Sequence, residues 1–425
     1  MPPPRPARIL IVDDSAVMRG ILRSVVIADQ RLEVAGTAAD GASALRVMDS
    51  IQPDLILLDV EMPVMDGLNT LKQMKANGKR VPVIMCSTLT QRGAKVTIDA
   101  LASGASDYVA KPSGQASKEA AMRSLAQDLI PKILALTAYA TSAQEIVPAH
   151  SSVFPSARIL SSAFPAGVPT SPQSAWPPNP GLPNIGSGIL VPARLPAGNS
   201  QTSPLSLQQP VATSSPTVLL IGVSTGGPAA LEVLLPALPS SFPLPVLVVQ
   251  HMPELFTKLL AERLDGRCAL RVREATAGAP VRPGFIYIAR GDWHMEVIAH
   301  DRQASAASPL VPVLRLTQDA PENHCRPAVD VLFRTGVQVY GAGVLAVVLT
   351  GMGYDGLAGS RLVRQHGGSV LAQDQPTSAV WGMPGAVAQA GLAHRVLPLN
   401  AIAPEILRLA GRGQREAFEL RESAV

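Results

Sequence analysis

Val218-Leu219-Leu220-Ile221-Gly222-Val223-Ser224-Thr225-Gly226-Gly227-Pro228 (VLLIGVSTGGP) decides how the chain is read. Four apolar residues run into a glycine-rich turn, and Ala229–Leu234 continues as helix-forming sequence. That is a buried strand, a tight turn and a helix start, the unit from which parallel α/β sheets are built. A serine at such a turn sits at the carboxyl edge of the sheet, beside free N–H groups of the helix. Gly222, Ser224 and Gly226 also fit G-x-S-x-G, the spacing of a nucleophile elbow. The same residues fit a plain strand-to-helix turn in which Ser224 or Thr225 caps the helix.

A serine nucleophile needs a base and a group to orient it. Six of the seven histidines lie from residue 251 onward. His251 follows the apolar run Val246–Gln250, so it occupies the same sheet edge as Ser224. His300 reads as part of a polar loop, and His366 and His394 read as exposed positions after helical segments. Asp355 follows Val344–Leu349 and the turn Thr350-Gly351-Met352-Gly353-Tyr354, again strand then glycine turn. Three strand ends thus supply Ser, His and Asp. Their chain order is Ser…His…Asp, whereas an α/β-hydrolase runs Ser…Asp…His. Strands are expected at 217–223, 245–250, 269–273, 285–289, 313–316, 344–349 and 369–372. Helices are expected at 228–235, 254–264, 328–340, 356–366 and 384–389.

Residues 7–135 repeat the alternation in a second block. The runs ARILIVDD, LEVAGTAAD, PDLILLDVEMP, VPVIMCST and SDYVAKP read as five strands separated by amphipathic helices. Asp13, Asp14 and Asp59 end strands one and three, Ser87 ends strand four, and Lys111 follows strand five. Three carboxylates at one sheet edge repel each other unless a cation lies between them, and hard oxygen ligands suit Mg²⁺. With a lysine and a hydroxyl beside them they form a phosphoryl-acceptor site in which Asp59 attacks phosphorus.

Between the two blocks the composition changes. Residues 146–216 hold 14 prolines and two formal charges, Arg158 and Arg194. Proline at that density breaks helices and strand ladders, so 138–216 is expected to be a mostly disordered linker. Residues 413–425 read as a charged tail. The chain of 425 residues is 47% hydrophobic but only 4% aromatic, so its cores must be aliphatic. A net charge of +4, scattered along the chain, gives no nucleic-acid footprint. Cys86, Cys268 and Cys325 are odd in number and widely spaced, which fits reduced thiols rather than a disulfide frame. No apolar window is long enough to span a bilayer. The apolar run at the N-terminus is interrupted by Asp13 and Asp14 and is not expected to be a signal peptide. A cytoplasmic, monomeric protein is expected.

Residues 7–130 resemble receiver domains of two-component response regulators. The resemblance rests on Asp13-Asp14-Ser15, Leu58-Asp59-Val60-Glu61-Met62-Pro63 with Met65-Asp66-Gly67, Ser87 and Lys111-Pro112. It implies phosphorylation of Asp59, with Asp13, Asp14, Asp59 and the Glu61 carbonyl at Mg²⁺. Ser87 and Lys111 would contact the phosphoryl group, and Tyr108 matches the switch aromatic. Residues 217–400 resemble the catalytic domain of the chemotaxis protein-glutamate methylesterases, the CheB family. Ile221–Pro228, Gln250–Pro253, Arg326-Pro327, Leu349–Gly356 and Gly382-Met383-Pro384 carry this likeness. It implies a triad of Ser224, His251 and Asp355, with Thr225 and Met352 near the oxyanion and no cofactor for hydrolysis. It also implies methylated chemoreceptor helices as substrate, methanol as product, deamidation of receptor glutamines, and a histidine kinase as phosphodonor. The receiver is then expected to cover the active site until Asp59 is phosphorylated. Where the family is expected to carry His-Arg-Pro-Ser, this chain has Cys325-Arg326-Pro327-Ala328, and His324 is a candidate to compensate.

The expected architecture is α/β, with two doubly wound parallel-sheet domains. They are a flavodoxin-like receiver (5–137) and a Rossmann-like methylesterase domain (217–412), with neither nucleic-acid binding nor membrane insertion. A receiver-linked serine esterase of other specificity, or a phosphorylation-dependent scaffold, are the competing readings.

Overall fold

The computed structural model describes residues 5–88, 90–112, 117–137, 215–300 and 311–422. The linker expected at 138–216 lies almost wholly outside the described residues. In the first block the chain runs β1 (Ala7–Val12), α1 (Ala16–Ile27), β2 (Leu32–Ala38), α2 (Gly41–Ile51), β3 (Leu55–Asp59), α3 (Gly67–Ala76), β4 (Val83–Ser87), α4 (Gln91–Ala102), β5 (Asp107–Ala110) and α5 (Lys118–Leu136). The strands pair in parallel in the order β2-β1-β3-β4-β5. Each helix start has its reason in the sequence. Ser15, Asp40, Asp66, Thr90 and Ser117 accept from backbone N–H groups of the first turn as N-caps. Strands β3 and β4 are buried at every position, as expected for a sheet covered by helices on both faces.

The second block comprises β6 (Val218–Val223), α6 (Gly227–Leu234), β7 (Val246–Gln250), α7 (Glu254–Asp265), β8 (Arg271–Glu274), β9 (Phe285–Ile288), β10 (His294–His300) and β11 (Val311–Thr317). It continues through α8 (Val329–Tyr340), β12 (Val344–Val348), α9 (Leu357–Gln365), β13 (Ser369–Gln373), α10 (Met383–Gln389), β14 (Arg395–Leu397) and α11 (Leu399–Glu422). Seven strands form a parallel sheet in the order β14-β13-β12-β6-β7-β9-β8. From β6 the chain winds first toward β7 and later returns to β12 on the other side. The crevice beyond β12, β6 and β7 is therefore the topological switch point, where open α/β sheets hold ligands.

Two sequence expectations need correction. His300 ends strand β10, which pairs antiparallel with β11, and does not lie in a loop. Met295 and Val297 of β10 are fully buried, and their alternation was the available signal. His394 is buried, not exposed. It donates from its backbone N–H to Val370 O and accepts from Val370 N–H at Nδ1, which joins it to the sheet edge at β13. The segment expected as a charged tail, helical or frayed, continues helix α11 as far as Glu422.

Phe333 of α8 is among the largest fully buried side chains and packs under β6 and β12. Phe333→Ala should cost about 3–5 kcal/mol. A denaturation midpoint within error of the wild type would contradict that packing.

Candidate active site

Two residues of the opening motif are glycine for steric reasons. A Cβ on Gly222 would meet Val329 Cγ1 at 2.4 Å, so only glycine lets α8 lie against β6. Gly226 adopts φ 77°, the left-handed region that suits glycine, and this turns the chain from β6 into α6. Ser224 is left at the carboxyl end of β6, its backbone N–H donating to Thr350 O at 3.0 Å and its carbonyl accepting from Gln250 Nε2 at 3.0 Å.

The structure brings the three expected residues to one crevice. His251 Nε2 lies 2.8 Å from Asp355 Oδ2. Asp355 is buried and accepts further from the backbone N–H groups of Val329, Asp330 and Gly356 and from Asn323 Nδ2. Burial pushes its carboxyl up, but His251 and the N–H donors outweigh this and hold it below the usual carboxylate range. Burial likewise pushes the His251 ring down. The bonds to Asp355 and Cys325 outweigh it and raise the imidazole to about 9. Neighbouring Asp330 is pushed up to about 6, mainly by burial.

The second ring nitrogen of His251 does not meet Ser224. Nδ1 lies 3.6 Å from Cys325 Sγ. Among the described residues none hydrogen bonds to Ser224 Oγ, although Ser224, His251, Asp355 and Cys325 all line one cavity of about 760 Å³. His324, the candidate for compensation, is exposed on the rim of that cavity and makes no hydrogen bond to His251. Asn323, which ties Asp355 to Asp330, and Gln250, which braces the serine turn, were missed as site residues in the sequence. Asn323 reaches Asp355 across 32 positions and Gln250 reaches the Ser224 carbonyl across 26, so no local pattern marks these contacts.

The other wall of the cavity comes from the first domain: Asp107, Tyr108, Ala110 and Lys132 line it. Asp107 Oδ2 accepts from Thr225 Oγ1 at 2.6 Å, with both residues buried. Gly226 N–H donates to Ser106 O at 3.0 Å. Tyr108 stacks on Phe256 of α7, ring centroids 4.4 Å apart, and Asp99 pairs with Arg263. Thr225 therefore has its hydroxyl engaged by β5, and Met352 stands part-exposed at the cavity wall.

At the far side of β5 lies the acidic cluster. Carboxylate oxygens of Asp13, Asp14 and Asp59 come within 4.8 Å of one another. Asp13 and Asp59 are buried and Asp14 is exposed. Lys111 Nζ lies 2.7 Å from both Asp13 Oδ2 and Asp59 Oδ1, and its backbone N–H donates to Ser87 O. Burial raises the Asp59 carboxyl, Lys111 opposes this, and the Asp13 charge adds to it. Ser87 is buried, with its hydroxyl donating to Thr88 O. Glu61 pairs with Arg92 and shares a second cavity with Asp14 and Asp66. A set of oxygen donors alone, one of them open to solvent, fits a hard divalent cation such as Mg²⁺.

Comparison with known proteins covers both blocks. The profile of the CheB methylesterase family matches residues 219–406, and that of the response regulator receiver domain matches residues 9–123. A protein-glutamate methylesterase/protein-glutamine glutaminase of a Nocardioides species is 45% identical over 405 residues, 95% of this chain and 96% of that one. Its counterpart in Trichodesmium erythraeum is 42% identical over 95% of this chain and 99% of its own. The crystal structure of the Thermotoga maritima CheB methylesterase catalytic domain is 42% identical and covers 46% of this chain and 100% of that one, with a TM-score of 0.43. No described helix is long and apolar enough to cross a membrane.

Proposed function

Because the chain belongs to the CheB family of protein-glutamate methylesterases/protein-glutamine glutaminases, we propose that it hydrolyses glutamate methyl esters on chemoreceptor helices under control of its receiver. Methanol is the product from the ester, and ammonia the product from a receptor glutamine. The single observation that carries this reading is the cavity shared by the Ser224–His251–Asp355 crevice and β5 of the receiver. It supports one machine in which chemistry and control meet, and it favours neither an unregulated esterase nor a scaffold.

In this reading Ser224 is the nucleophile. His251 takes its proton and later returns it to the leaving methanol, and Asp355 holds the ring orientation. Water then releases the free glutamate. Thr225 and Met352 flank the position of the oxyanion, where backbone N–H groups would act. Hydrolysis itself needs no cofactor.

Asp59 is the phosphoryl acceptor. Asp13, Asp14, Asp59 and the Glu61 carbonyl would hold Mg²⁺, which neutralises charge on a bound phosphoryl group. Lys111 and Ser87 contact the incoming oxygens. Strand β5 links the two sites: Lys111 follows it at the acidic cluster, and Asp107 and Tyr108 within it touch the catalytic domain. Phosphorylation adds up to about two negative charges beside Lys111 and biases that interface toward opening. A histidine kinase is the phosphodonor. We take the domains as 5–137 and 217–412, joined by 138–216, with a charged tail at 413–425. The protein works as a cytoplasmic monomer, with neither nucleic acid nor membrane insertion.

Asp59→Ala should leave basal methanol release from methylated receptor in place and abolish its stimulation by a small phosphodonor. Stimulation that persists would move the phosphorylation site elsewhere. Release from small esters at the same rate as from methylated receptor would favour an esterase of broad specificity.

A further inference from the structure

The triad accounts for Nε2 of His251 but not for the company of Nδ1. That nitrogen faces Cys325 Sγ at 3.6 Å at the wall of the catalytic cavity, and neither side chain is fully buried. His251, Cys325 and Asp355 present ligand atoms within 4.8 Å of one another. A tetrahedral Zn²⁺ with Zn–S of about 2.3 Å and Zn–N of about 2.0–2.1 Å holds its sulfur and nitrogen ligands about 3.6 Å apart. The pair already stands at that separation.

Asp355 completes the arrangement without ligating. Its two oxygens are taken by His251 Nε2, Asn323 Nδ2 and the N–H groups of Val329, Asp330 and Gly356. A carboxylate that accepts from the far nitrogen of a metal-bound histidine is the usual outer partner of such a site, fixing tautomer and ring orientation. Thiolate and imidazole together select a soft or borderline cation such as Zn²⁺ over Mg²⁺. The acidic cluster of the receiver, with oxygen donors only, has the opposite preference.

We propose that Cys325 Sγ and His251 Nδ1 form an inhibitory site for Zn²⁺ or a cation of like softness in the catalytic cavity. Binding releases the thiol proton and any proton on Nδ1, and forms one metal–sulfur and one metal–nitrogen bond. The remaining positions open onto the cavity and take water. No electron is transferred. The cation occupies the ring nitrogen that Ser224 requires, so the general base is lost while the metal is bound.

The test uses the full-length protein and Co²⁺ as a spectroscopic stand-in for Zn²⁺. Titration should give a thiolate-to-cobalt charge-transfer band, which oxygen ligands in the receiver cannot produce. The band should persist in Cys268→Ser, vanish in Cys325→Ser, and be displaced by Zn²⁺. Zn²⁺ should also slow alkylation of Cys325 in the wild type by about 10-fold or more, the scale on which metal-site partners act, while Cys268 reacts at its former rate. That measurement stands even if the cysteine variant fails to fold. Methanol release should fall as the wild-type site fills and return on chelation. A band that survives in Cys325→Ser, or none in the wild type with Cys325 alkylated at the same rate, overturns the site. A bound metal that leaves methanol release unchanged overturns its inhibitory role. None of the binding readouts depends on receptor hydrolysis, so their failure and failure of the methylesterase reading are distinguishable.

Discussion

Ser224→Ala is expected to reduce methanol release from methylated receptor by on the order of 10⁴–10⁶ in kcat, the range seen when a triad nucleophile or its orienter is removed. The size follows from the position of the serine. It ends the central strand of the sheet, at the switch point, and its backbone is pinned on both sides by Thr350 and Gln250. Substitution by alanine removes one half-buried hydroxyl at the cavity wall and disturbs none of those backbone bonds, so the fold and phosphorylation of Asp59 should be unaffected. Near-UV circular dichroism and phosphoryl incorporation from a small donor check both. Cys325 makes the outcome informative in a second way, because it is a nucleophilic atom already beside His251. If Ser224→Ala keeps substantial activity and the Ser224→Ala/Cys325→Ala double variant loses it, the thiol is the nucleophile and the serine assignment fails. If both retain activity, the crevice is not the catalytic site.

Asp107→Ala should produce the largest gain in activity. Its carboxylate accepts from Thr225 Oγ1 at 2.6 Å in a buried position, beside the residue that flanks the proposed oxyanion. A hydrogen bond to a charged group contributes about 1.5–3 kcal/mol, and each 1.4 kcal/mol is a factor of ten. Losing this bond should therefore shift the closed-to-open equilibrium about 10- to 100-fold toward open. Basal methanol release rises by the same factor until the open form predominates. Stimulation by a phosphodonor shrinks in proportion, since less closed protein remains to be opened. Lys132 keeps its ion pair with Asp128, 2.8 Å away, so the cation is not stranded. Combining Asp107→Ala with Asp59→Ala should give a high basal rate and no stimulation. An unchanged basal rate in Asp107→Ala would mean that the contact does not restrain catalysis.

Much of this protein is legible residue by residue. Apolar runs ending in Asp13, Asp59, Ser87, Ser224 and His251 announce strands whose carboxyl ends face one edge, because burial periodicity and turn chemistry are local properties. The parallel sheets and the approach of Ser224, His251 and Asp355 to one crevice followed from that pattern, since alternating strands and helices leave few topologies open, whereas α6 is capped by Gly226 and not by the hydroxyl of Ser224 or Thr225. What only the tertiary structure decided depends on residues far apart in the chain. Strand β14, three residues long, is held by pairing with β13 and has no pattern of its own. His394 is buried because Val370 offers it partners 24 positions away. The bond from Thr225 to Asp107 spans 118 positions, and the approach of Cys325 to His251 spans 74. No spacing in the sequence encodes such contacts. The first, second and fourth arise inside the second domain as its strands and loops pack, and only the bond from Thr225 to Asp107 arises where the two sheets meet on one cavity; in each case packing selects which atom a functional group meets.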